Sequence, residues 1–371
     1  MSERVLITGG GGFIGSHLAD QLIDDGFEVR VLDALLQQVH DGSARPSYLH
    51  KDVELVRADV RDPSFVLKAL EDVDSVVHLA AAVGVGQSMY EIRQYVDING
   101  VGTAVLLEAL SHRPVERLVV ASSMSIYGEG LYETSDGRPV PNAQRDPARI
   151  AEGAWDPVGE DGKVLWPVPT PEWKTPDLAS VYALTKYDQE RLCLVFGRAY
   201  GLPVTALRFF NTFGPRQALG NPYTGVLAIF ASRILNGRAP LIYEDGHQQR
   251  DFVSVHDAAR AIRLALKTDA AAGLALNVGS GEPRTILQVA ETTLEVLERK
   301  ELGIEVTGRY RQGDVRHCFA DLALARKTLG YEPRVAFRNG LEELAQWLAE
   351  QPAVDRTQDA QAELESRGLL R

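Results

Sequence analysis

Tyr182 and Lys186 stand four residues apart in Tyr182-Ala-Leu-Thr-Lys186, the only Tyr-x-x-x-Lys match in the chain. They fall early in a helical pattern over residues 178–200. Residues i and i+4 share one helix face, so the ammonium can sit beside the phenol. A neighbouring cation favours phenolate and lowers a pKa that is about 10 when unperturbed. Tyr182 could then serve as a general base toward a hydroxyl near neutral pH. The same spacing also suits an ordinary surface Tyr–Lys contact. Ser122-Ser123-Met124-Ser125-Ile126-Tyr127-Gly128 follows the apolar run at residues 118–121. Ligands of open α/β sheets bind outside the carboxyl ends of strands, where a serine hydroxyl can hold a reacting oxygen. Serines there can equally bond local backbone.

A second chemical signal lies at the start of the chain, in Thr8-Gly9-Gly10-Gly11-Gly12-Phe13-Ile14-Gly15. It follows the apolar run Val5-Leu6-Ile7 and opens a helical pattern carrying Ile14, Leu18 and Leu22. A glycine-rich turn between a buried strand and a helix lets backbone N–H groups approach a pyrophosphate. The four glycines satisfy both Gly10-x-Gly12-x-x-Gly15 and Gly9-x-x-Gly12-x-x-Gly15. The second apolar run, at 29–32, ends in Asp33, near the offset where a carboxylate accepts from adenosine ribose hydroxyls. A carboxylate there would repel the additional phosphate of NADP, so the expected cofactor is NAD.

Elements able to hold these groups in place are legible along the chain. Apolar runs at 5–8, 29–33, 53–58, 75–79, 117–122 and 204–209 alternate with helical patterns, notably at 90–110 and 178–200. This alternation predicts a Rossmann-like, doubly wound parallel α/β sheet. The expected division is a dinucleotide-binding domain at 1–208 and a smaller C-terminal α/β substrate-binding domain at 209–371, with some later segments returning to the first. Residues 129–176 break the rhythm with eight prolines and three of the four tryptophans. So long an irregular stretch suits a functional lid or binding loop, or else disorder, and its tryptophans argue against plain disorder. Thr285 to Gln288 has capping-box form, Asp321 is placed to cap a helix at 322–329, and a last amphipathic helix carries Leu341, Leu344, Trp347 and Leu348. A charged, frayed tail is expected beyond it.

Composition limits the remaining possibilities. The net charge of −12 (39 basic, 51 acidic) disfavours nucleic-acid or anionic-membrane partners. No run is long and apolar enough for a membrane span, and the first strand begins too early for a signal peptide. Cys193 and Cys318 are too few for a disulfide framework and suit a reducing cytoplasm as packing residues. No metal site is expected.

The motifs, in their order, resemble those of extended short-chain dehydrogenases/reductases of the nucleotide-diphosphate-sugar epimerase/dehydratase family, over roughly residues 3–128 and 177–350. They are Thr8–Gly15, Asp33, Ala58-Asp59-Val60, His78-Leu79-Ala80-Ala81-Ala82, Asn99, Ser122-Ser123, Tyr182/Lys186, Arg208-Phe209-Phe210-Asn211, Gly214-Pro215-Arg216, Arg250-Asp251-Phe252-Val253 and Arg311-Gln312-Gly313-Asp314-Val315-Arg316. The resemblance implies that Gly9, Gly12, Phe13, Ile14, Gly15, Asp33, Asp59, Val60, Leu79, Ala80, Ala81, Asn99, Ser122, Tyr182, Lys186 and Phe210 hold NAD. It implies Ser123, Tyr182 and Lys186 as catalytic residues. Ser123, Asn211, Arg216, Tyr243, Arg250 and Arg311 match positions that hold a nucleotide-diphosphate sugar, which agrees with guanidinium–phosphate geometry and aromatic stacking on a base. A homodimer through the 90–110 and 178–200 helices is implied as well, although those helices could equally be buried within one subunit.

Dehydratases of this family carry Asp-Glu directly after the catalytic Ser/Thr. Met124 and Ser125 stand there, which disfavours elimination of water and leaves C4 epimerisation through a transient 4-keto sugar as the expected reaction. Residues 122–130, the insertion at 129–176 and Asn221-Pro222-Tyr223-Thr224-Gly225-Val226 look most like dTDP-L-rhamnose 4-epimerases, although the insertion lacks cysteine pairs seen in some of them. UDP-glucose/galactose and UDP-glucuronate 4-epimerisation are the alternatives, with decarboxylation of a uronic acid still open. In a different class, a nonenzymatic NAD sensor could use the same fold.

Overall fold

In the computed structural model, the described residues are 2–40, 42, 44–217, 225–311, 313–351 and 357–370, with backbone alone for 357–360. Gln312 and residues 221–224 of the substrate-discriminating stretch lie outside them.

Seven parallel strands form the central sheet: β1 (Arg4–Thr8), β2 (Glu28–Asp33), β3 (Glu54–Arg57), β4 (Ser75–His78), β5 (Arg117–Ser123), β6 (Val204–Phe209) and β7 (Ala275–Val278). Their spatial order is β7-β6-β5-β4-β1-β2-β3, so the winding reverses between β1 and β4. A crevice opens at such a reversal, outside the strands' carboxyl ends. Register places Val5 beside Val29 and Ser75. Both faces are covered, which explains why the strands read as continuous apolar runs. Val5, Ile7, Val31, Val77 and Val119 face one core, whereas Leu6, Leu32, Val76, Leu118 and Val120 face the other.

Helix α1 (Phe13–Asp24) packs on the first face with α4 (Val255–Leu266), which contributes Ala258 and Ile262. The second face is covered by α2 (Gly102–His112), through Leu106 and Leu110, and by α3 (Val181–Tyr200), through Cys193 and Leu194. The predicted helix at 90–110 is continuous over 92–112, but residues Val96–Val101 form a wide turn of π-helix. Ser180 caps α3 by accepting from the Ala183 N–H, and Gly201 ends it at φ +72°. Both cysteines are buried, and burial pushes their thiols up to about 12, which suits packing residues.

The second half of the chain contributes β7 and α4 to the first lobe. Several of its remaining elements surround Phe213, Phe252 and Phe337, whereas Leu322, Ala325 and Leu329 pack on the first core. There, Gln249–Ser254 pairs in parallel with Asn211–Phe213 and His317–Cys318, and antiparallel with Pro283–Thr285. The capping box forms at Thr285 and Gln288. The helix expected at 322–329 begins at Ala323, with Asp321 accepting from the Ala323 N–H at 2.8 Å.

Two stretches differ from expectation. Within 129–176, Leu131–Glu133 pairs antiparallel with Pro139–Val140 and Trp166–Val168, so the insertion carries a small sheet of its own. The C-terminal tail is not wholly frayed: Thr357–Ser366 is helical, and Leu364 and Leu370 are buried. Two well-spaced leucines suffice to dock a segment whose composition is otherwise charged.

Candidate active site

A cleft of ≈ 480 Å³ runs along the carboxyl ends of β1, β2, β4, β5 and β6. At one end lies the glycine-rich turn. Gly9 has φ +71°, and a Cβ there would stand 2.7 Å from the Ala80 nitrogen; at Gly15 it would stand 2.5 Å from the Gly10 Cα. Neither position can accept a side chain, and the backbone is bare where a pyrophosphate must approach. Helix α1 starts at Gly12 with no side-chain cap, so its N-terminal field points into the cleft without competition. Asp33 closes β2 and accepts from the N–H groups of Gly11 (2.9 Å) and Leu35 (2.8 Å). A carboxylate has about four acceptor directions, so capacity remains for a ribose diol. This cradle fits a dinucleotide.

The remaining cofactor expectations fall on the same walls. Gly9, Gly12, Phe13, Ile14, Gly15, Asp33, Asp59, Val60, Leu79, Ala80, Ala81, Ser122, Tyr182, Lys186 and Phe210 all line the cleft. Asp59 is held below the usual carboxylate range, chiefly by hydrogen bonding to Arg61, whose Nη2 lies 2.6 Å away. Asn99 is not on the wall. It is fully buried in the π-turn, where its amide accepts from the Ala82 N–H (2.7 Å) and donates to the Ala82 carbonyl (3.2 Å) and Thr185 Oγ1 (2.9 Å). Its place is behind the Leu79–Ala82 wall, which it pins to α3.

The three expected catalytic residues meet in this cleft. β5 delivers Ser123 at its last position, and α3 delivers Tyr182 at its second residue. Ser125 Oγ donates to Ser123 Oγ at 2.9 Å, and the Ser123 hydroxyl hydrogen-bonds Tyr182. Burial raises the Tyr182 pKa, and the bond from Ser123 opposes that. The position beside the helix N-terminus also favours an anion. Burial lowers Lys186 to about 8. Met124 and Ser125 both face the cleft, so no carboxylate follows Ser123 on this wall. Ser125 was not expected as a member of this chain; its signal is a hydroxyl two residues after Ser123, at the mouth of β5.

Beneath β5 lies a buried polar cluster. Glu190 receives Ser122 Oγ (2.6 Å) and both arms of Arg208 (2.9 and 2.7 Å). Arg208 also donates to the Tyr127 hydroxyl (2.9 Å), which donates to Asn277 Oδ1 (2.7 Å). These bonds tie the turn at 122–127 to β6, β7 and α3.

The substrate expectations are more scattered. Ser123 and Asn211 line the cleft, and Asn211 Oδ1 is buried without a hydrogen-bond partner among the described residues. Arg311 stacks on Tyr243, its guanidinium 4.6 Å from the ring centre, and its buried Nε also lacks a partner among them. Arg250 is held by Asp314 (3.3 Å) and by the Arg316 carbonyl (3.0 Å). Arg216 is not brought to the cleft: it pairs with Asp20 at 2.7 Å in a separate concavity beside α1. Gln217, one residue on, does line the cleft.

Two further features brace this half. In the insertion, Glu129, Arg145 and Asp156 enter a charge network with Glu244, Asp245 and Arg316, including Arg145–Glu244 at 2.6 Å and Arg316–Asp156 at 2.8 Å. This clamps the insertion to the loops that carry Tyr243 and Arg311. The tail helix reaches the same place, with Gln361 Nε2 donating to the Tyr243 hydroxyl (2.8 Å) and Glu365 paired with Arg309 (2.6 Å). Arg367 lies 4.2 Å above the ring of Tyr90.

The profile of the "NAD dependent epimerase/dehydratase family" matches residues 5–147 and 167–279. The dTDP-L-rhamnose 4-epimerase of Burkholderia thailandensis is 35% identical over 94% of this chain and 96% of its own length. Among solved structures, the UDP-glucose 4-epimerase of Thermotoga maritima with UDP-glucose superposes at TM-score 0.76, with 30% identity, over 94% of this chain and 99% of that one. The UDP-glucose 4-epimerase of Thermus thermophilus in complex with NAD gives 0.72 and 32%, over 94% and 100%.

Proposed function

Because the chain belongs to the NAD-dependent epimerase/dehydratase family and takes NAD as its cofactor, we propose that it inverts C4 of a nucleotide-diphosphate sugar. NAD, when bound, supplies a hydride acceptor that returns the same hydride. The residues of the chain do the rest. Ser123 would hold O4 beside Tyr182, whose phenolate would take the hydroxyl proton as C4 is oxidised. The 4-keto sugar would turn about its diphosphate to present its opposite face, and Tyr182 would give the proton back to O4. No net oxidant is consumed.

The observation that carries this reading is the pairing of an intact Ser123–Tyr182–Lys186 set with Met124 and Ser125 on the same wall. Neither side chain can take a carbon-bound proton or protonate a leaving hydroxide, so dehydration lacks its acid and base. The preferred substrate is dTDP-L-rhamnose, giving dTDP-6-deoxy-L-talose, supported by the relative that is 35% identical along the chain. Tyr243, Arg250 and Arg311 are assigned to the nucleotide and diphosphate, and Asn211 to the sugar side.

Incubation of the purified protein with dTDP-L-rhamnose, UDP-glucose and UDP-glucuronate, followed by NMR, tests both levels. The expected result is a C4-inverted product from the first with no NADH accumulating. Turnover confined to the UDP-sugars would move the substrate assignment, and steady NADH release without epimer would end the epimerase reading. A pure NAD sensor would convert none of the three.

We also assign the chain to a homodimer. The helix at 92–112 and α3 bury their inner faces, yet expose Ile92, Val96, Val101, Leu184 and Val195, each more than two-fifths accessible. An apolar face of this kind on two adjacent helices suits a self-complementary interface. The double substitution Val96→Asp, Leu184→Glu is expected to halve the sedimenting mass. An unchanged mass, or a monomeric parent, would remove the assignment.

A further inference from the structure

Lys186 is enclosed at the floor of the cleft, and its ammonium donates to Gln189 Oε1 at 2.8 Å. Gln189 is 1% exposed. An ammonium only donates, which fixes the amide with its oxygen toward Lys186 and its NH2 pointing away. That NH2 reaches Thr103 Oγ1 at 2.9 Å and the Ala80 carbonyl at 3.3 Å. Thr103 gives its own proton to the Asn99 carbonyl at 2.6 Å, so His78 Nε2, 2.9 Å away, must donate to it. The opposite ring nitrogen then accepts from Thr8 Oγ1 at 2.7 Å. Burial lowers His78 to about 3, consistent with a neutral ring. The Gln189 amide, Thr103, His78 and Thr8 are thus linked in one run of hydrogen bonds, from β1 through β4 and the π-turn to α3. Such buried networks fix one arrangement of their members.

We propose that Gln189 is a positioning residue for Lys186: it anchors the ammonium through a neutral carbonyl, so that the whole positive charge acts on the Tyr182 phenol. A carboxylate at the same place would hold the lysine as firmly and cancel its field. The charged or titratable groups that act on Lys186 are Glu190 and Cys193 from α3 and His78 from β4, and Tyr182 lines the same cleft. Glu190 is already engaged by Arg208 and Ser122, Cys193 is raised to about 12, and His78 is neutral. That leaves residue 189 as the position where one change of charge is felt most directly.

The inference rests on Tyr182 and Lys186 acting as the base pair, and its test separates the two. Gln189→Glu and Gln189→Met are compared with the parent, each alongside the same chain carrying Tyr182→Phe. The phenolate absorbance difference within each pair reads the ionisation of Tyr182 without turnover. Gln189→Glu is expected to raise the Tyr182 pKa by about 1–3 units, the range for a charge added within a few ångströms. The same carboxylate raises Lys186, so both limbs of the pH–rate profile move alkaline. Gln189→Met removes an acceptor from the ammonium and moves the alkaline limb down. Movement of both variants in one direction, or of neither, would overturn the inference, since a merely structural loss has no sign. If Tyr182→Phe itself turned over normally, the fault would lie with the base assignment.

Discussion

Replacing Tyr182 with phenylalanine is expected to lower turnover by about 10²–10⁴-fold, the usual contribution of a positioned general base. The ring is half-buried at the second residue of α3 and edge-on to Tyr95, with centroids 6.4 Å apart, so phenylalanine keeps the packing. Ser123 loses its bond to the phenol, while the glycine cradle, Asp33 and Lys186 are untouched. The variant should therefore still co-purify with, or bind, NAD at close to the parent's stoichiometry. Measuring turnover and bound nucleotide on the same preparation checks this. Retained turnover would remove Tyr182 from the reaction. Loss of NAD together with activity would show that the residue matters for assembly instead.

The largest effect on stability is expected away from the reacting atoms, at Arg208. Its Nε and Nη2 occupy both oxygens of Glu190, which is 0% exposed, and its guanidinium lies 5.1 Å from the Tyr127 ring centre. Arg208→Met fills much of the volume but leaves a buried carboxylate with Ser122 as its remaining named donor. Removing one partner of a buried pair typically destabilises by about 3–5 kcal/mol, because the other charge is stranded. Urea unfolding of Arg208→Met should show a loss of that order. The double variant Arg208→Met, Glu190→Met should recover part of it, because no charge is then stranded. A loss below about 1 kcal/mol in the single variant would mean that water reaches Glu190 in place of the arginine.

Much of this molecule can be read in one dimension because the signals are local. Six of the seven strands announce themselves as apolar runs, since both sheet faces are covered. β7 does not: Ala275–Val278 has only four residues and sits among turn signals, and it pairs with β6 from some seventy positions away in the chain. The glycine-rich end of the cleft was legible for a related reason, since Gly9 and Gly15 answer to backbone geometry at the turn and Asp33 closes the neighbouring strand. What single-chain pattern could not convey is which neighbour a side chain finds in three dimensions. Asn99 and Arg216 illustrate this. The first lies behind the wall, gripping Ala82, and the second turns to Asp20 on the outer side of α1. Gln189 left only a faint trace, a polar residue on the inward face of α3 one turn beyond Lys186. The insertion's small sheet was hidden by its prolines, which sit at edges or beside strands of two or three residues.

The π-turn at Val96–Val101 has a consequence for how this region can change. A π-turn holds one more residue than an α-turn, so the helix on either side of it runs out of phase by about 100°, the rotation per residue at 3.6 residues per turn. That offset lets Asn99 and Thr103 aim inward while Ile92 and Val96 aim outward. Deleting a single residue between 96 and 101 would heal the irregularity and straighten the rod. It would also swing the preceding segment by more than a quarter turn, so that either the inner grip or the outer apolar stripe is lost. Sequence drift is therefore expected to tolerate substitution here far better than a change of length.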